Sequence, residues 1–285
     1  MKNLEMKISP LWQMNDLDKA LKSLKNNKTM DPHGIINEVF KEGCVGRDLK
    51  EALLLLFNGV KSNLFIPKFM TFENISTIYK NKGSRLQLDN DRGIFILTVL
   101  KKILDKLTYH DKYDDIDIHM SDSKIGARKN KNIRNHLFMI YGIMNSVIKG
   151  KNESIDIHIY DLVKAFDALW LEDTLNNVYD TISDDERDDK LALLYRSNEV
   201  NLVAVKTAVG LTKRVNVPAI VQQGGTWGPM LCSNSIDTIG KKCRDRGEHF
   251  YLYKNTVRVL PFAMVDDCLG ISRCGDESVA LWRCH

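Results

Sequence analysis

The sequence predicts an α+β fold, on three observations. Leucines recur at helical spacing near the N-terminus, "IDIHIYD" alternates apolar and polar residues with the period of a strand, and the apolar stretch "LPFAMVDDCLGIS" reads as two strands flanking a pair of carboxylates. A composition of 44% hydrophobic and 27% charged residues is that of a chain able to bury a core, and a formal charge of +4 permits a polyanionic partner without requiring one. The longest apolar run, "ALLLLF", is too short to span a bilayer, and the charged N-terminus is no secretory signal, so no membrane partner is expected. Six cysteines, Cys44, Cys232, Cys243, Cys268, Cys274 and Cys284, form no C-x-x-C pair or zinc-ligand spacing and suggest reduced thiols in an intracellular protein, nuclear or cytoplasmic. The sequons at Asn27, Asn74 and Asn152 then read as accidental.

The elements follow in order. Residues 15–26 place Leu17, Leu21 and Leu24 on one helical face with lysines opposite, and a second helix is expected over about 48–60. A short strand over 75–79 leads through the polar "KNKGS" turn and past Arg92 into an apolar helix. The acid-rich "DKYDDIDIH" lacks the glycine and terminal glutamate of a calcium loop and reads as a solvated connection. "KIGARKNKNIR" holds five basic residues and no acid, an electrostatic footprint for a phosphate backbone or else a solvated helix start, and runs into the helical "NHLFMIYGIMNSVI". Ser183 and Glu186 form a capping box that accounts for the acidic run around them. The region 200–217 is strand-rich with a hairpin tip in "AVGLTKR", and "VQQGGTWGP" is a glycine-rich bend before a helix.

Carboxylates in apolar surroundings are unfavourable unless water, a basic group or a metal compensates them. Asp161 ends the alternating strand on the parity of Ile155, Ile157 and Ile159, while Asp266 and Asp267 lie between two strands. Were those strands neighbours, the carboxylates would converge on a point suited to Mg2+, which takes oxygen ligands and binds substrate phosphates. Two such ions would serve a phosphoryl or nucleotidyl transfer. Taken singly, each aspartate is equally a turn or cap residue, the reading preferred for Asp167.

The segments "YDLVKAFDALW", "VQQGGTWGP" and "AMVDDCLGI" resemble, in this order, the A, B and C motifs of reverse transcriptases, especially those of non-LTR (LINE-like) retrotransposons. "LKSLKNNKTMDPHGIINEVFK", "STIYKNKGSRLQLDNDRGIFIL" and "KIGARKNKNIRNHL" resemble the family's N-terminal, fingers and template-side motifs, so the likeness runs from about residue 18 to 275. It implies a fingers region over 1–150 and a palm region over 151–285, the palm an antiparallel sheet with packed helices. It implies Asp161 and Asp266 as the principal catalytic metal ligands, with Asp267 beside them and the Leu162 carbonyl a further candidate, for two Mg2+ ions or Mn2+ in their place. Arg92 and Lys80 would hold the triphosphate of a dNTP, Phe166 would gate its sugar, and Gln223 and Gly224 would lie along nucleotide and template. Arg128 and Lys129 would meet template phosphates. The partners implied are an RNA template and a DNA primer.

Departures from the pattern are Met264 and Val265 before the paired aspartates, and Thr226 and Gly228 where the family has proline and serine. None removes a metal ligand. The chain ends eighteen residues after Asp267, so the expectation is a truncated remnant with the thumb missing. The alternative is a catalytically inactive nucleic-acid-binding remnant; an unrelated magnesium-dependent nucleotidyltransferase would explain the acids but not the ordered fingers and "QGG" segments.

Overall fold

A computed structural model describes residues 8–41, 44–149, 155–162, 165–183, 187–217, 221–245, 250–252, 257–259, 262–264 and 267–273. Helices and mixed sheets make it α+β in the general sense. The chain divides into two units, Met1–Asp115 with Phe166–Gly228 and Ile116–Ala165 with Pro229–His285, each drawing on both sides of residue 150. No helix among the described residues is long and apolar enough to cross a membrane.

In the first unit, helix α1 (Met14–Lys22) buries Leu17 and Leu21, and Leu24 is buried just beyond its end. Helix α2 (Arg47–Asn63) spans more than the predicted range, burying Leu53, Phe57 and Val60, and ends at Leu64 in the left-handed region. These side chains meet Val99, Ile103, Leu104 and Leu107 of α3 (Val99–Asp117) in one core. Beside them lies a sheet in which β1 (Phe72–Tyr79) pairs antiparallel with β2 (Asp91–Leu97) and parallel with β4 (Asn201–Thr207); β5 (Gly210–Leu211) and β6 (Val215–Val217) pair with β4.

Three expectations for this unit need correction. The stretch "DRGIFIL" is a strand rather than the lead into a helix, because β1 offers it a full ladder and Phe95 and Leu97 pack with Val203 in a core of their own; a short apolar run does not distinguish the two states by itself. "DKYDDID" is the end of α3, not a solvated connection. Its charges are matched from afar: Asp111 accepts from Trp12 Nε1 and Lys190 Nζ, both at 2.8 Å, and Lys112 Nζ bridges Asp115 at 2.8 Å and Asp188 at 3.0 Å. Helix α7 (Asp189–Glu199) starts after the expected capping box, with Asp188 as its cap accepting from the Lys190 N–H; Glu186 lies outside the described residues. Between these elements, α5 (Ala165–Ala168), which contains Asp167, and α6 (Leu171–Thr181) follow the first strand of the second unit.

That strand, β3 (Ile155–Asp161), has the predicted bounds. It pairs antiparallel with β10 (Asp267–Arg273), which pairs antiparallel with β9 (Phe262–Met264). Ile143 and Val147 of α4 (Ile133–Lys149) pack on Phe262 and Ile271, with Ile155 and Leu269 at the margin. The isoleucine face of β3 is covered only at its start, since Ile159 is 77% exposed. Helix α8 (Gly228–Asp245) follows the glycine-rich bend as expected. The apolar stretch ahead of the aspartates contributes two short strands, β8 (Val257–Val259), which pairs with β7 (Phe250–Leu252), and β9; Pro261 between them lies outside the described residues.

Asp105, in α3, is 4% exposed and its Oδ1 has no hydrogen-bond partner among the described residues. Burial pushes its carboxyl from 3.8 up to about 6, so the folded chain holds a proton that the unfolded chain releases earlier. The resulting stabilisation is complete below about pH 3.8 and is lost as pH rises through about 6. Asp105→Asn keeps the shape without the charge: relative to this variant, the wild type should lose about 2 kcal/mol between pH 4 and pH 7, measured by urea unfolding across that range.

Candidate active site

The ladder between β3 and β10 sets Asp267 directly opposite Asp161. Directly paired residues present their side chains on the same face, so two exposed carboxylates sit side by side at the end of the ladder. Like charges in this relation are unfavourable unless something cationic joins them. The condition raised by the sequence, that the two strands be neighbours, is met. Leu162 follows Asp161 and is partly buried; Asp266 lies outside the described residues. Among the described residues no group of three or more His, Cys, Asp or Glu could hold a metal. Two carboxylates are nevertheless a donor set that suits Mg2+, which keeps waters and takes its remaining ligands from substrate phosphates.

The nucleotide-side candidates belong to the first unit. Arg92 is exposed on β2 opposite Ile78, and Lys80 is exposed at the end of β1, its Nζ donating to the Asp89 carbonyl at 3.0 Å. Further along β2, the Phe95 N–H donates to the Gln223 carbonyl at 2.9 Å. Gly224 has a φ of +109°, and a Cβ there would stand 2.9 Å from the Phe95 carbonyl oxygen, so only glycine lets this segment lie against the strand. The close approach at Gly224 is thus made to the protein's own backbone. Gly228 is constrained too: a Cβ would fall 2.4 Å from the Gln222 carbonyl and 3.6 Å from the Phe166 ring, which is partly buried. Gln223 is half-buried and Gly224 exposed.

The basic segment behaves differently from its reading as a phosphate footprint. Lys124 is 2% exposed and forms a bridge beside Ala263 of β9. Arg128 uses all five of its N–H donors internally. Nε and Nη2 reach the Asp117 carboxylate at 2.7 and 3.4 Å, Nη2 also reaches the Asp117 carbonyl at 3.0 Å, and Nη1 reaches the Ser121 and Lys124 carbonyls at 2.8 and 3.0 Å. With its side chain 5% exposed, Arg128 is a clamp on the end of α3 and the loop that follows, not a group presented to a template. Lys131 pairs with Asp122 at 2.9 Å, and Lys129 is exposed.

Sequence reasoning missed a buried polar set in the first unit. Lys101 Nζ donates to Glu73 at 2.6 Å and to Asn201 Oδ1 at 3.1 Å, and Gln222 Nε2 donates to both Glu73 carboxylate oxygens at 2.9 Å. The available signal was a stripe of Lys101, Asp105 and Thr108 at helical spacing between apolar neighbours, polar yet buried.

No protein-family model matches the chain, and no curated protein matches it. The family resemblance thus rests on the ordered motifs alone.

Arg128→Ala should lower the unfolding free energy by about 2 to 4 kcal/mol, because it removes the charged donor from the partly buried Asp117 carboxylate and one hydrogen bond from each of three carbonyls. Lys129→Ala should change stability by less than about 0.5 kcal/mol. If Lys129 meets a phosphate, the same change lowers the salt slope of single-stranded RNA binding by about 0.7, whereas Arg128→Ala leaves the slope unchanged. Urea titration and binding at several salt concentrations check both.

Proposed function

We propose that the chain is the fingers and palm portion of a reverse transcriptase of non-LTR retrotransposon type, acting on an RNA template, a DNA primer and dNTPs. The observation that carries this reading is the register pairing of Asp161 with Asp267, which turns two sequence motifs more than a hundred residues apart into one carboxylate pair. Their ordered likeness to motifs A and C supplies the family, and the glycine-dependent path of motif B along β2 agrees with it.

Each group has a role that its chemistry suits. Asp161 and Asp267, with Asp266, would hold two Mg2+ ions, or Mn2+, through carboxylate oxygens, and the Leu162 carbonyl would add a ligand. When bound, the metals supply charge neutralisation at the α-phosphate and activation of the primer 3′-hydroxyl. Arg92 and Lys80 would bind the triphosphate, with guanidinium and ammonium groups balancing its charge. Phe166 would stack against the sugar of the incoming nucleotide and exclude a 2′-hydroxyl by its bulk. Gln223 and Gly224 would set the nucleotide's position with the backbone held by β2. Lys129 is the remaining template candidate of the basic segment.

Primer extension on an RNA template with Mg2+ and dNTPs tests the proposal. Asp161→Asn and Asp267→Asn should each lose more than about a hundredfold in rate, beyond the 10- to 100-fold typical of groups that only support metal ligands. Extension by the wild type that survives both substitutions would sink it. RNA binding with no extension by a folded wild-type chain would instead assign the protein as an inactive binding remnant.

A further inference from the structure

We infer that Gln222, anchored on the buried Glu73 carboxylate, is the positioning residue for the glycine-rich segment that follows it. This rests on the nucleotide-binding reading of Gln223 and Gly224. Glu73 is 0% exposed on β1, and its charge is balanced by Lys101 of α3, also 0% exposed, whose ammonium is shared with Asn201 of β4. The pair and its partners therefore form a fixed, satisfied polar centre.

Gln222 attaches the bend to that centre. Its side-chain amide donates to both Glu73 oxygens at 2.9 Å, while its carbonyl accepts from the Gly225 N–H at 3.4 Å. The same carbonyl would stand 2.4 Å from any Cβ at Gly228, so it also limits how the bend can close. One residue on, the Gln223 carbonyl takes the Phe95 N–H and Gly224 lies flat against the strand. A bend rich in glycine has high conformational entropy when unheld, and this side chain fixes its starting point. Gln222 need not touch the nucleotide to set where Gln223 and Gly224 meet it.

Gln222→Met tests the role, because it fills the same volume and leaves the Glu73 to Lys101 pair intact. Gln222→Asn, which keeps the amide one methylene short, gives the same comparison should the methionine variant not fold. Hydrogen exchange without nucleotide reads the bend, and titration with a fluorescent deoxyadenosine triphosphate and Mg2+ reads its consequence. The expected result is faster exchange confined to residues 223–228 and about tenfold weaker nucleotide binding, with RNA affinity within about twofold of wild type. A core variant of equal thermal destabilisation, such as Ile103→Val, should leave nucleotide affinity unchanged. Unchanged exchange in the bend, or undiminished nucleotide binding by the variant, overturns the inference alone. A wild-type chain that binds no nucleotide overturns the polymerase reading and this inference together.

Discussion

A carboxylate placed on the buried face of a central strand dictates much of what surrounds it. Glu73 has no access to water, so it is tolerable only where cations and donors complete its hydrogen bonds. Lys101 comes from the helix packed on the sheet, Asn201 shares that lysine from the neighbouring parallel strand, and Gln222 closes the set from the bend. Four segments distant in sequence are thereby held to one geometry. Hydrophobic contacts such as those of Phe57 and Leu104 give the unit its core, but they are not directional. The polar set specifies which residues of the bend meet the sheet.

The aspartates of the second unit pose the opposite electrostatic case. Asp161 and Asp267 face one another across a ladder, with no basic group paired to them among the described residues, and both are open to solvent. A fold gains nothing from such a like-charge pair, whereas a site for a hard cation requires it. The buried pair reads as architecture because its charges are matched. The exposed pair has no such match among the described residues, and that is where the proposed metal site starts.

Much of this was legible in the sequence where local pattern and tertiary role agree. The leucines of α1 fall where periodicity puts them, β3 has its predicted bounds, and the strands carrying Asp161 and Asp267 are neighbours. Failures arose where a distant partner decided the outcome. "GIFIL" became a strand because β1 was there to pair with it, and the acids of 111–117 stayed helical because Trp12, Lys190 and Lys112 answer their charges. Arg128 looked like a surface cation since nothing in a linear segment reveals that two carboxylate oxygens and three carbonyls will surround it. The role of Glu73 was hidden for the same reason, as its contact with Gln222 spans 149 positions.

The central claim is that the Asp161 and Asp267 pair is a metal site. Mn2+ binding followed by electron paramagnetic resonance, on the purified chain with and without a deoxynucleotide triphosphate, tests it most directly. Saturable uptake that is enhanced by the nucleotide and abolished by either Asp161→Asn or Asp267→Asn is the predicted result. Equal uptake by the wild type and both variants would contradict it.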